Sequence, residues 1–243
     1  MKRALVVGGA NGIGLSIATV LAQRDECERV YIVDKVPLAD AHNDAKFEYH
    51  SFDLTNDDYT FFDQFADIDT LMITAGFGRL ALFKDLDEQY IIDTMAVNTT
   101  SVMRLVHRFY DKLQSPTTFY CGVMVSIAGF MSSPFFSVYG GSKAALKIFI
   151  ESVNVELAKQ GTDNRILNVS PGSIKGTSFS RGTTDLSQTL PLARDIVAHL
   201  EERADLFIPQ YDEVFKQVLA RYQADFRAEG LHSYEYKLNS GRV

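Results

Sequence analysis

Seven short apolar runs recur along the chain: "RALVVG" (3–8), "RVYIVD" (29–34), "FEYHSFD" (47–53), "DTLMITAG" (69–76), "YCGVMVSIAG" (120–129), "RILNVSPG" (165–172) and "DLFIP" (205–209). Between most of them lie longer stretches with helical periodicity, among them 86–114, 139–160 and 211–229. Continuous apolar runs of this length suit strands buried on both faces. Strands alternating with helices give a parallel sheet, because parallel neighbours can be joined only by a crossover. Only 12 residues separate Asp34 from Phe47, so the crossover there is near the minimum length and its helix must be short or missing. The expected class is therefore α/β: a doubly wound parallel sheet in three layers, with helices on both faces.

A chain of 243 residues with 46% hydrophobic content can bury a sizeable core, and no repeats or linkers divide it, so 1–243 reads as one domain. The net charge of −7 argues against a nucleic-acid partner or an anionic membrane surface. No apolar run has membrane-spanning length, and the start "MKRALVVGGANG" lacks the apolar stretch of a signal peptide. A cytoplasmic protein is expected, with Cys27 and Cys121 as reduced thiols. The five histidines show no close ligand spacing, so no metal site is expected.

The first run leads straight into "GGANGIG" and then into the helical "LSIATVLAQ". Gly8, Gly12 and Gly14 permit a tight turn that brings backbone N–H groups to an anion at the positive end of the following helix. Asp34 ends the second run, 20 residues beyond Gly14, where a Rossmann-type fold binds ribose hydroxyls. Its carboxylate can accept hydrogen bonds from both hydroxyls of NAD and would repel the 2′-phosphate of NADP. NAD is thus the expected cofactor. Lys35, the next residue, leaves NADP as the alternative, and Asp53 in "FDLT" is expected near the adenine.

With these elements the chain resembles the short-chain dehydrogenase/reductase family, in its single-domain branch. The resemblance rests on the glycine loop, "ITAG" (73–76), Asn98 in "AVNTTS", Ser126 in "VSIAG", Tyr139 and Lys143 in "YGGSK", and "SPGSIKGT" (170–177), in that order over residues 1 to 177. It implies a catalytic set of Asn98, Ser126, Tyr139 and Lys143, in which the Asn98 carbonyl holds a water in a proton relay through Lys143. It also implies a cofactor site that adds Asn11, Ile13, Leu54, Ala75, Gly76, Pro171, Gly172 and Ile174 to the glycines, Asp34, Lys35, Asp53, Tyr139 and Lys143. Helices 86–114 and 139–160 correspond to those that relatives pair across a two-fold axis, so a homodimer or homotetramer is expected.

The chemistry asks for these residue types. Removing a hydroxyl proton lets hydride leave an alcohol carbon, but a free tyrosine, with a pKa of about 10, is a poor base at neutral pH. A lysine one helical turn away favours the phenolate. Ser126, at a strand end, can hold the substrate oxygen. Gly140 and Gly141, inside the helix that carries Tyr139, are expected where that helix packs closely on its neighbours. Phe61, Phe62 and Phe65 read as packing, while Phe130, Phe135 and Phe136 fit either a substrate pocket or the core.

The expected function is hydride transfer between a nicotinamide cofactor and the alcohol or carbonyl carbon of a small molecule. The alternative is a non-catalytic dinucleotide-sensing regulator on the same fold. "GTSFSRGTTDLSQTL" (176–190) is expected as a substrate lid, with Arg181 either meeting an anionic group or solvated. The family's usual ending is absent from the segment 205–243. Within it, 211–230 reads as one amphipathic helix with Val214, Phe215, Val218 and Tyr222 on its apolar face, placed to cover this subunit's site or a neighbour's.

Overall fold

The computed structural model describes residues 1–55, 58–177 and 183–239. Each of the seven apolar runs yields a strand: β1 (Arg3–Val7), β2 (Arg29–Asp34), β3 (Phe47–Ser51), β4 (Thr70–Ile73), β5 (Tyr120–Met124), β6 (Ile166–Val169) and β7 (Leu206–Phe207). All pairings are parallel, in the order β3-β2-β1-β4-β5-β6-β7. The order reverses between β1 and β4, which opens a crevice at the carboxyl ends of those strands.

Side chains alternate across β1 and so build two cores. Ala4 and Val6 face α1 (Gly12–Ala22) and α6 (Leu186–Glu201), packing with Ile17, Leu21, Ile196 and Leu200. Leu5 and Val7 face the opposite layer of α2 (Glu88–Met95), α3 (Ser101–Arg108), α4 (Tyr110–Gln114) and α5 (Ser137–Gln160), where Val102, Leu105, Leu146 and Ile150 are buried. This is the three-layer α/β arrangement. The crossover from β2 to β3 contains only a single short turn, Asp40–His42, as its length required. Phe62 and Phe65 are fully buried and Phe61 packs against them. Among the described residues no helix is long and apolar enough to cross a membrane.

Two expected helices are interrupted. Segment 86–114 is α2, a π-helical turn (Ala96–Thr100), α3, a break at Phe109, and α4. Segment 211–230 is not one helix: a π-helical turn (Tyr211–Phe215) leads into α7 (Lys216–Ala224), and α8 (Phe226–Asn239) follows after a break at Asp225. The Asp225 carboxylate accepts the N–H groups of Arg227 at 2.9 Å and Ala228 at 3.0 Å, so it caps a new helix instead of continuing the old one. Of the expected apolar face, Phe215, Val218 and Tyr222 are half-buried, but Val214 is exposed.

Candidate active site

The glycine loop is held where the crevice opens. Gly8 has φ +86°, and a Cβ there would crowd the backbone of Ala75; Gly12 has φ +54° and begins α1. The Thr74 hydroxyl donates to the carbonyls of Val7 (3.1 Å) and Gly8 (3.0 Å), tying the end of β4 to the loop. The Gly12 N–H, one of the donors left over at the start of α1, donates to Thr184 Oγ1 at 3.0 Å.

At the end of β2 the Asp34 carboxylate accepts from the Ala10 N–H (3.1 Å, Oδ2) and the Val36 N–H (3.2 Å, Oδ1). Each oxygen keeps a further lone pair for a ribose hydroxyl. Asp53 accepts from the Thr55 N–H (3.0 Å) and Oγ1 (2.9 Å), and these bonds hold its carboxyl below the usual carboxylate range.

A cavity of ≈ 1200 Å³ runs from Asp34 and Asp53 to the catalytic candidates. Its wall includes Gly8, Asn11, Gly12, Ile13, Gly14, Asp34, Lys35, Asp53, Leu54, Ala75, Gly76, Pro171, Gly172 and Ile174, together with Ser126, Tyr139 and Lys143. Thr177 lines it as well.

Ser126 follows the end of β5, while Tyr139 and Lys143 come from the first two turns of α5. A Cβ on Gly129 would lie 2.8 Å from the Lys143 carbonyl carbon, and one on Gly140 would lie 3.2 Å from the Ala128 oxygen, so the Ser126 loop and α5 need glycine to approach. Gly141 has open space instead, which corrects the packing role expected for it. Lys143 Nζ lies 5.8 Å from the centre of the Tyr139 ring and donates to the Met124 carbonyl at 2.7 Å. Burial pushes the Tyr139 phenol up to about 12, opposed by the hydrogen bond with Ser126, and pushes the Lys143 ammonium down to about 7.

Asn98 does not line the cavity. It is fully buried in the π-helical turn, where its side chain accepts from the Phe77 N–H (2.9 Å) and donates to the Phe77 carbonyl (2.8 Å) and to Ser142 Oγ (3.2 Å). Of the three loop phenylalanines, Phe136 lines the cavity and packs on Tyr139 with ring centres 5.1 Å apart, whereas Phe135 is buried against Tyr234. Phe130 faces a separate groove.

The segment 211–230, expected to cover this subunit's site or a neighbour's, does lie over this subunit's cavity, and α8, which sequence reasoning did not identify, extends that cover. Phe215, Val218, Arg221, Glu229, His232 and Lys237 all reach the same cavity, so α7 and α8 close this subunit's own site. Of the expected lid, Gly176, Thr177 and Gln188 line the cavity, while 178–182, Arg181 included, lie outside the described residues. Among the described residues no cluster of His, Cys, Asp and Glu could hold a metal ion. The donor set fits a dinucleotide: a helix N-terminus with glycine at its first turn, a carboxylate at the end of β2, and a Tyr–Lys pair at the far end.

A family model described as short chain dehydrogenase matches residues 2–186. Dehydrogenase RED2 of Cochliobolus heterostrophus is 27% identical over 67% of this chain, and the match spans 63% of that protein, just under two thirds. The 3-oxoacyl-[acyl-carrier-protein] reductase FabG of Vibrio cholerae is 28% identical over 79% of this chain and 81% of its own length. Among solved structures, a short chain dehydrogenase of Burkholderia cenocepacia in complex with NADP superposes with a TM-score of 0.75 at 23% identity, covering 96% of this chain and 98% of that one.

Proposed function

The chain belongs to the short-chain dehydrogenase family, and on that premise we propose that it moves a hydride between a nicotinamide dinucleotide and the carbonyl or alcohol carbon of a small molecule. The convergence of Ser126, Tyr139 and Lys143 on one cavity carries the proposal. A dinucleotide sensor without turnover would not need that set. When bound, the dinucleotide supplies the carbon that gives or takes hydride.

The chain's own residues do the rest. Ser126 holds the substrate oxygen, and the Tyr139 hydroxyl gives it a proton during reduction or takes one during oxidation. With its phenol pushed up to about 12, Tyr139 is protonated at neutral pH, the form carbonyl reduction needs. Lys143 stabilises the phenolate that follows and contacts the nicotinamide ribose. Asn98 positions the backbone at Phe77.

We read the cofactor as NAD, on the Asp34 carboxylate at the ribose position. NADP is the competing reading, because Lys35 lines the same wall and the Burkholderia structure is an NADP complex. Exposed Ile92 and Met95 on α2, with Ile148 and Val155 on α5, support a homo-oligomer. Cys27 and Cys121, both buried free thiols, suit a cytoplasmic setting.

Tyr139→Phe is the direct test. The variant should fold and bind dinucleotide but lose most turnover of any alcohol or carbonyl compound that the wild type accepts. A near-normal kcat would refute the role.

A further inference from the structure

A glycine commonly serves a backbone angle that other residues avoid. Gly172 has no such angle: its φ is not positive, yet a Cβ on it would lie 2.7 Å from Cζ of Phe215, with two further atoms of that ring at 3.4 and 3.7 Å. What requires glycine here is the Phe215 ring, whose edge rests on the Gly172 backbone. Gly172 follows Pro171, whose carbonyl accepts the Ile127 N–H at 3.1 Å and lies 3.5 Å from Ser126 Oγ. Ring, glycine and candidate catalytic serine thus belong to one contiguous stretch of the cavity wall.

The local backbone aims Phe215 at this place. The π-helical turn Tyr211–Phe215 opens at Gln210, whose φ of +58° is a left-handed conformation uncommon outside glycine. The Gln210 carbonyl accepts both the Val214 N–H (3.0 Å) and the Phe215 N–H (3.3 Å), so the turn holds one residue more than an α-helical turn. Within it Val214 is 42% exposed, while Phe215 is half-buried on the cavity wall. A strained entry and a widened turn are features that cluster at functional sites, and here both serve to place one large side chain.

On the other side of Ser126 the cavity continues. It runs between the loop 131–133 and α8, past Met131, Ser132, Ser133, His232 and Ser233. A carbonyl carbon held by Ser126 and Tyr139 therefore meets bulk toward Gly172 and space toward α8.

We infer that Phe215 determines the shape of the substrate: an aldehyde, a methyl ketone or the corresponding alcohol, with its hydrogen or methyl against the Phe215 ring and its larger substituent under α8. This inference rests on the proposed oxidoreductase reading and names its substrate class. A close-packed aromatic edge backed by main chain gives little, so each added methylene on that side must be accommodated by displacing the ring.

The test uses 2-, 3- and 4-octanone with either dinucleotide, isomers that differ in whether the smaller substituent is methyl, ethyl or propyl. The wild type should lose about tenfold or more in kcat/KM with each added methylene, the lower end of the range for one methylene in an apolar pocket. Phe215→Ala should gain over wild type increasingly along the series, using 4-octanone about tenfold better or more, and Phe215→Leu should fall between. The leucine variant carries the test alone if the alanine variant does not fold. A merely structural role would lower all three ketones alike.

A second readout needs no turnover. Gly172→Ala should lower the urea midpoint of the wild type, where the new methyl meets the ring, and leave that of Phe215→Ala nearly unchanged. A wild type that uses the three ketones equally, Phe215 variants that gain on none of them, or additive effects of the two substitutions on stability would each overturn the inference while leaving the oxidoreductase reading intact. If dinucleotide binds but no alcohol or carbonyl compound turns over in any variant, the oxidoreductase reading fails and the substrate limit falls with it.

Discussion

Asn98 and Phe77 hold each other by two hydrogen bonds: the Asn98 amide accepts the Phe77 N–H at 2.9 Å and donates to the Phe77 carbonyl at 2.8 Å. The pair links the π-helical turn between α2 and α3 to the chain leaving β4, immediately after Gly76. A Cβ on Gly76 would lie 3.2 Å from Asn98 Oδ1 and 3.3 Å from Lys143 Nζ, so the clamp fixes backbone that touches the candidate catalytic lysine.

Asn98→Ala leaves both Phe77 groups without that partner in a half-buried place, at a cost on the order of 1 kcal/mol for each bond lost. The expected result is a lower urea midpoint together with a lower kcat. Asn98→Asp should be at least as damaging, because a carboxylate cannot donate to the Phe77 carbonyl. Wild-type stability in both variants would show that the clamp contributes little.

Lys143 gives a pH signature. Burial pushes its ammonium from 10.5 down to about 7. Between those values the unfolded chain binds a proton that the folded protein does not, so this group's contribution to stability rises with pH across that window. Below about pH 7 the fold carries the full cost of a buried ammonium. Without dinucleotide, Lys143→Met should therefore be most favoured relative to wild type at acid pH, and its advantage should shrink toward pH 10. The lost bond to Met124 adds only a pH-independent offset. Tyr139 acts in the opposite sense and only above pH 10, where the unfolded chain loses a proton that the folded protein keeps until about 12. Tm against pH for the two proteins checks this, and a constant difference from pH 6 to 10 would rule out titration of Lys143 near neutrality.

Much of this could be read directly from the sequence, for a physical reason. Strands buried on both faces must be apolar throughout, so the central strands stood out as runs, whereas the edge strands β3 and β7 contain no fully buried residue; the glycine loop followed from turn geometry that only glycine adopts. What escaped depends on local competition or on inverted pattern. Asp225 breaks a periodic helix because a carboxylate cap outweighs continued periodicity. The inward stripe of α8 is polar, so a search for apolar periodicity passes over it. The side-chain role of Asn98 depends on a π-helical turn that no residue spacing announces.

On the proposed reading, Asp34 governs the choice of dinucleotide: a carboxylate at the ribose position would face the 2′-phosphate of NADP, and juxtaposed like charges are strongly disfavoured. Lys35 is exposed, so it returns less than the carboxylate costs. NAD should give the higher kcat/KM, and Asp34→Ala should narrow the gap mainly by improving use of NADP. The variant should also lose some stability, since Ala10 and Val36 donate to that carboxylate. A wild type that prefers NADP would mean that Lys35 sets the choice.

The proposed homo-oligomer would assemble through the outer face of the α2–α5 layer. Ile148 and Val155 lie seven residues apart on α5 and are 59% and 69% exposed, and Ile92 on α2 is 52% exposed. Large aliphatic side chains on adjacent helices form a surface that self-complementary two-fold packing can bury. The wild type should sediment as a dimer or larger at micromolar concentration. Ile148→Glu with Val155→Glu places charges on that face without touching the core, so it should yield a folded monomer. Because α7 and α8 close each subunit's own cavity, that monomer should still bind dinucleotide. A wild type already monomeric at that concentration would refute the interface, while a double variant that remains dimeric would move it to another face.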